Sequence, residues 1–254
     1  WGIGYFGMPH ILVRFMAIED EKKLTFSRRI ASVWVVIAMT VGIFIGVVGL
    51  AMTKAGSLEN LADSETVIVR ITGLISRHGV IAALIAGVIL AGILAATMST
   101  SDSQLLTAAS GVSQNILHDF FHIEMDEKKS LLTARLTIVA IAVVAVFMAR
   151  NPNSSVFGIV SFAWAGFGAA FGAVMLCALF WKRSTLAGAI SGMVAGGVMV
   201  FVWKYLVRPL GGAFDIYELL PAFLVSLVVI VVVSFLTQKP SEEVLAEFDK
   251  AAEK

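Results

Sequence analysis

Seven apolar runs of about twenty residues follow one another along the chain, at 1–18, 29–52, 80–100, 131–149, 156–180, 186–206 and 217–236. A hydrocarbon core about 30 Å thick is crossed by about 20 apolar residues in helical form, so each run is the length of one crossing. Composition agrees: 58% of the residues are hydrophobic, 15% are charged, and the mean hydropathy is +0.90. A water-exposed domain keeps more charge on its surface than this. The runs predict an all-α polytopic membrane protein. The first run has neither the basic start nor the cleavage site of a signal peptide.

The charged segments between the runs set an orientation. Lys22, Lys23, Arg28 and Arg29 follow the first run, Lys128 and Lys129 the third, Lys182 and Arg183 the fifth, and Lys239, Lys250 and Lys254 the seventh. The alternate loops hold fewer: Lys54, Arg70 and Arg77 in a long one, then Arg150, then Lys204 and Arg208. The excess of Lys and Arg marks the cytoplasmic side, which predicts a cytoplasmic C-terminus. A net charge of +1, with no basic tail, RNA motif or zinc spacing, gives no nucleic-acid partner. The single cysteine, Cys177, lies in an apolar run and reads as a small packed hydrophobe.

Residues 53–79 form the longest loop, with room for a short helix. The third helical pattern runs unbroken from Val80 to Phe120, a length of about 60 Å at 1.5 Å per residue, so it must bend, tilt or project. The tail from Gln238 is solvated, and Ser241 is placed to start a short surface helix there. Glycines spaced by four, at Gly42/Gly46, Gly168/Gly172 and Gly188/Gly192/Gly196, predict close helix–helix approach in lipid.

Two places carry chemistry. In the third run, Gly92, Ala96, Ser99, Thr100, Ser103, Thr107, Ser110 and Gln114 recur at offsets of three and four, one stripe of small and polar groups on a helix. Spacing alone leaves two readings open. One is a stripe that packs neighbouring helices. The other is a site for a hard cation, which takes neutral oxygen ligands: the hydroxyls of Ser99 and Thr100 and the carbonyl of Ala96, whose second lone pair is free, converge on one point. These are three ligands at most. Asp102 lies off the stripe, either as a hydrated or paired carboxylate or as a further ligand.

The other place is the opening "WGIGYFGMPH". Pro9 lacks an N–H and in a continuous helix would clash with the carbonyl of Tyr5, while Gly2, Gly4 and Gly7 lower helix stability further. Lipid tolerates freed backbone groups only where protein, water or a ligand satisfies them. The segment is thus either a proline kink with packed aromatics or an interrupted helix of the kind that holds a solute, with Trp1, Tyr5 and Pro9 along it. His10 has no His or Cys partner at metal-binding spacing and reads as structural.

Three stretches together, "WGIGYFGMPHILVRFMAI", "ILAATMSTSDSQLL" and "VSFAWAGFGAAFG", resemble the solute:sodium symporters, and the likeness continues through "VWK" and "YELLPAF" to the tail. The resemblance implies a leucine-transporter-type fold of two inverted five-helix repeats. On it, 1–180 is the second repeat, beginning inside an interrupted helix, 181–237 two additional transmembrane helices, and 238–254 a cytoplasmic tail. The first repeat would belong to a preceding part of the same polypeptide, in keeping with the missing initiator Met. The implied activity is sodium-coupled uptake of a small solute across the cell membrane, with L-proline as the first expectation. Another amino acid, a carboxylate or pantothenate is the alternative, and a symporter-like sensor module the second. By the same resemblance Trp1, Tyr5 and Pro9 bind substrate, and Ala96, Ser99 and Thr100 hold sodium. Asp102 and Ser103 border a second cation site or the inner cavity. Sodium is the coupling ion, with no organic cofactor. No HExxH, GxSxG or paired intramembrane acids suggest an enzyme.

Overall fold

A computed structural model describes residues 1–150 and 155–252, and all regular structure among them is helical. A 3-10 helix, Gly2–Gly7, leads to α1 (Pro9–Met16), α2 (Lys23–Lys54), α3 (Val67–Ile75) and α4 (Val80–Ser110). Then come α5 (Glu127–Ala149), α6 (Val156–Phe167), α7 (Ala173–Phe180), α8 (Leu186–Val202), α9 (Leu219–Leu236) and α10 (Glu242–Ala252). π-Helical stretches prolong α4 (Gly111–Phe120), join α6 to α7 (Gly168–Gly172) and extend α8 (Trp203–Val207). Among the described residues, six helices are long and apolar enough to cross a membrane.

The expected first crossing, 1–18, is not among the six. The chain breaks at Met8, which is extended (φ −84°, ψ 113°), because the ring of Pro9 excludes the helical conformation from the residue before it. Pro9 then opens α1 from the first helical position, where an N–H is not needed. The eight residues of α1 reach only about 12 Å. The third run behaves as expected: α4 and its π-helical extension form one rod of 41 residues.

The chain divides into two compact units, Trp1–Ala17 with Ala140–Lys254, and Ile18–Val139. In the second unit, α2 and α4 carry large apolar side chains that are mostly exposed, as on Trp34, Phe44, Leu84 and Val88. The long loop holds α3, preceded by a turn in which the Asp63 carboxylate accepts from the Glu65 N–H at 2.9 Å. Gly42 and Gly46 of α2 meet no neighbour within 4 Å. The close approach falls one turn later, where Val67 of α3 packs on Gly49.

In the first unit, spaced glycines decide the packing. Gly188, Gly192 and Gly196 of α8 lie against Ser234, Ile230 and Ser226 of α9. Each step of four up α8 is a step of four down α9, so the two helices are antiparallel and in register. Without a glycine, a side chain at any of these positions would hold the backbones apart, and van der Waals contact is what drives association in lipid. Hydrogen bonds follow the same seam: Ser226 Oγ donates to the Gly192 carbonyl at 2.9 Å, and Thr185 Oγ1 lies 2.9 Å from Thr237 Oγ1. Ala165, Ala169, Val200, Leu219 and Ala222 form one buried cluster, and Ala173, Val174, Cys177, Phe223 and Ile230 a second. Ile3 of the 3-10 helix packs on both.

Polar clasps close the two ends of this unit. At one, Arg208 bonds Asp215 (2.9 Å) and the buried Glu218 (3.1 Å), and the Tyr217 hydroxyl donates to the Ser161 carbonyl at 2.6 Å. At the other, Arg183 Nη2 donates to the Thr237 carbonyl at 2.8 Å, and Lys182 pairs with Asp249 of α10 at 2.6 Å. The tail helix starts where expected, with Ser241 Oγ accepting from the Val244 N–H at 3.5 Å.

Gly196 and Gly197 are adjacent but differently placed. A Cβ at Gly196 would overlap the Ala169 backbone, whereas one at Gly197 meets nothing within 4 Å. Gly196→Ala is expected to destabilise by about 1–3 kcal/mol through overpacking. Gly197→Ala is expected to be neutral or to stabilise by up to about 1 kcal/mol through helix propensity. Denaturation midpoints of the purified variants in detergent check this, and equal midpoints would refute the seam.

Candidate functional site: a broken helix on an aromatic shelf, and a hydroxyl ladder

The 3-10 helix is seated on the π-helical stretch between α6 and α7 by glycine on both faces. A Cβ at Gly4 would lie 2.6 Å from Trp164 Nε1, and one at Gly7 would lie 2.6 Å from the Phe167 carbonyl and 2.8 Å from the Gly172 nitrogen. From the other side, a Cβ at Gly168 would lie 2.6 Å from Gly4 Cα. The backbones therefore touch, and Gly4, Gly7 and Met8 are buried. The groups released by the break find partners. Met8 donates to the Tyr5 carbonyl (3.3 Å), and its own carbonyl accepts from Ile11 and Leu12, both at 3.0 Å.

Of the residues expected to bind substrate, Trp1 and Tyr5 are brought together and Pro9 lies beyond the break. Spacing by four is not what unites the first two, because a 3-10 helix turns every three residues. Trp164 of α6 unites them. The Trp1 ring stacks on it at 5.1 Å and 29°, and the Tyr5 ring meets it edge-on at 4.9 Å and 78°. Trp164 Nε1 donates to the Trp1 carbonyl at 3.1 Å, and Phe157 continues the stack at 5.6 Å from Trp1. Trp1 and Tyr5 remain 41% and 51% exposed, so the shelf keeps an open aromatic face. Trp164 and Phe157 were not singled out by the sequence. The available signal was the aromatic and small-residue stretch "VSFAWAGFGAAFG", whose tryptophan has no local periodic partner.

The second place stands on α4. Thr100 Oγ1 donates to the Ala96 carbonyl at 3.2 Å, which sets two oxygens at a separation suited to one cation with ligand distances of about 2.3–2.6 Å. The Ser99 hydroxyl, on the same side, makes no hydrogen bond among the described residues. Its carbonyl accepts from Ser103 Oγ at 3.0 Å, and the Ser103 carbonyl accepts from Thr107 Oγ1 at 2.8 Å. The stripe is thus a ladder of back-bonded hydroxyls. Ala96, Ser99, Thr100 and Asp102 are exposed, and Ser103 is half-buried. The donors are neutral oxygens from one helix, which fits a monovalent hard cation better than a transition metal. No group of three or more His, Cys, Asp or Glu with metal-binding geometry occurs among the described residues.

Farther along the same rod, the π-helical stretch and the first turns of α5 enclose a polar pocket of about 460 Å³. Ser113, Gln114, His118, Glu127 and Ser130 line it, and Gln114 Nε2 donates to Ser130 Oγ at 3.2 Å. π-Helical turns often mark functional sites because they disturb the regular ladder and re-aim side chains. Gln114 ends the stripe read from the sequence; the rest of the pocket, on the far side of a turn, was not anticipated.

Similarity to known proteins bears on both places. The family model described as "Sodium:solute symporter family" matches residues 1–196, which include the broken helix, the hydroxyl ladder and the aromatic shelf. A sodium/proline symporter of Haemophilus influenzae is 40% identical over 99% of this chain, and one of Staphylococcus aureus is 39% identical over 98%. The chain spans about half the length of these curated relatives, 49% in each case. No solved structure matches. By the family match over most of its residues, this multi-pass membrane chain belongs to the sodium:solute symporter family.

Proposed function

We propose that the chain forms one half of a secondary active transporter that couples sodium entry to uptake of a small solute, L-proline first. The observation that carries this reading is the 39–40% identity, over nearly every residue, to proteins named sodium/proline symporters. The whole activity belongs to a polypeptide of the relatives' length. In it, 1–180 is the second five-helix repeat of a leucine-transporter-type core, 181–237 two additional helices, and 238–254 a tail on the cytoplasmic side.

In this reading Ala96, Ser99 and Thr100 bind the sodium ion, with further ligands from elsewhere in the polypeptide. Trp1 and Tyr5, held by Trp164, offer an aromatic face to the ring of proline, and Pro9 keeps the helix open beside them. Sodium stabilises the state that binds solute, and by reciprocity solute tightens sodium. Rocking of one group of helices against another then exposes both to the cytoplasm. The membrane potential adds about 2.3 kcal/mol per charge per 100 mV. Asp102 and Ser103, one turn on from the ion, border the inner cavity.

Three measurements on a full-length symporter carrying these residues test the proposal. Ser99→Ala and Thr100→Ala are each expected to raise the sodium concentration for half-maximal proline uptake about tenfold, the equivalent of about 1.4 kcal/mol. Unchanged sodium dependence in both, at normal expression, would remove the ion from this place. Tyr5→Ala is expected to weaken proline binding at saturating sodium about two- to tenfold, the range of one aromatic contact. Trp164→Phe, which keeps a ring but loses the bond to the Trp1 carbonyl, is expected to have a smaller effect, and Trp164→Ala a larger one. A loss of sodium affinity without loss of proline affinity in these variants would exchange the two assignments. Asp102→Asn is expected to leave the number of sodium ions carried per proline unchanged, as measured by paired isotope uptake. A drop in that ratio would make Asp102 a cation ligand.

A further inference from the structure

An apolar groove of about 370 Å³ runs between α7 and α9, lined by Leu176, Cys177, Trp181, Leu227, Val231 and Phe235. Both helices belong to candidate membrane crossings, so hydrocarbon rather than water is available to fill it. The two ends of the groove differ. At one, Trp181 meets Phe235 edge-on at 5.6 Å and 63°, and Trp is the residue favoured where a helix leaves the hydrocarbon. Lys182 and Arg183 follow Trp181 directly, and Lys239 follows the end of α9.

The basic residues at this end are fixed differently. Arg183 is held over the last turn of α9 by its bond to the Thr237 carbonyl, two residues from Phe235. Neither Arg183 nor Lys239 makes an ion pair among the described residues, and Lys239 is exposed. Lys182 meets both carboxylate oxygens of Asp249, at 2.7 and 2.6 Å, so its ammonium already accommodates a group of anionic oxygens. Apolar floor, aromatic rim and cationic head thus occur in the order of a phospholipid's own parts.

We propose that this groove is a binding site for an anionic phospholipid. One acyl chain lies between α7 and α9 against Leu176, Cys177, Leu227 and Val231. The ester region lies beside Trp181 and Phe235. The phosphate-bearing headgroup sits on Lys182 and Lys239, with Arg183 adding its charge. A zwitterionic lipid fills the same apolar floor but gains less at the rim, because each Lys or Arg near a membrane surface contributes attraction of about 1 kcal/mol to an anionic lipid. The α10 helix brings carboxylates of its own, and Asp249 competes with the headgroup for Lys182.

Trp181 makes the site readable, because brominated acyl chains quench tryptophan fluorescence on contact. The protein is reconstituted in phosphatidylcholine bilayers containing the same small fraction of brominated phosphatidylglycerol or brominated phosphatidylcholine. Subtracting the signal of Trp181→Phe isolates this residue from every other tryptophan. Quenching at Trp181 by the brominated anionic lipid is expected to exceed that by the brominated zwitterionic lipid about twofold or more. The excess is expected to vanish in the Lys182→Gln/Lys239→Gln double variant and to fall part-way in Lys239→Gln, which breaks no ion pair. Equal quenching by the two lipids in the unaltered protein would overturn the proposal by leaving only bulk lipid. So would the absence of Trp181-dependent quenching by either, which would place protein over the groove.

Discussion

The contact of glycine on glycine between the 3-10 helix and the stretch joining α6 to α7 is the interaction on which the first unit depends. Lipid gives no hydrogen bonds to backbone, so a helix can break inside a membrane protein only where other protein covers the break. Here Gly4 and Gly7 let the broken segment come to backbone contact with Gly168 and Gly172. The π-helical geometry at Gly168–Gly172 belongs to the same contact: the widened turn lies where the partner backbone approaches. Each glycine weakens a helix by about 1 kcal/mol relative to alanine, so a sequence that concentrates them on both surfaces gives up local helix stability for one particular approach.

That approach places Trp164, and Trp164 places the aromatic shelf. The indole reaches across to the first residue of the chain, donating to the Trp1 carbonyl and stacking under its ring, while Tyr5 leans on its other side. Behind it, Tyr217 binds the Ser161 carbonyl one turn earlier on α6 and is itself followed by Glu218 in the clasp to Arg208. The shelf is therefore tied through α6 to the start of α9. The α8–α9 seam, with Gly196 against the Ala169 carbonyl, supports the π-helical stretch from the far side. Packing that begins in small residues far from any solute is what holds two exposed aromatic rings in one place.

What was legible in the sequence followed from period and length. Runs of about twenty apolar residues became helices long enough to cross a membrane, because a hydrocarbon core about 30 Å thick takes about twenty helical residues. The glycines of α8 announced their seam because a helix repeats its face at intervals of four. Where the sequence misled, it was by assuming that repeat. Trp1 and Tyr5 meet the same indole without sharing a helical face, since their segment is 3-10, and the first apolar run is not one continuous helix because Pro9 resets the backbone at Met8. Gly42 and Gly46 have the right spacing and no neighbour, whereas Gly49, outside the pattern, is the one packed upon. Trp164 was invisible to local reading: its partner lies 163 residues away, and no periodicity spans that distance.

The two proposed half-sites differ in how finished they are, and the difference bears on coupling. The aromatic shelf is cross-braced by α6, α9 and the 3-10 helix. The hydroxyl ladder stands on one helix, with Ala96, Ser99 and Thr100 all exposed and at most three oxygens to offer. A hard cation of calcium's kind takes about six to eight oxygens, and sodium likewise needs more than one face of one helix supplies. If the ion binds here as proposed, the segment that completes its shell approaches α4 on binding and can withdraw on release. An ion held by one rigid, complete cage would bind equally in every conformation and shift none of them, because only differential affinity moves an equilibrium. On the proposed reading, an incomplete donor set on α4 ties ion binding to helix position, which is what a sodium gradient needs to drive a solute uphill.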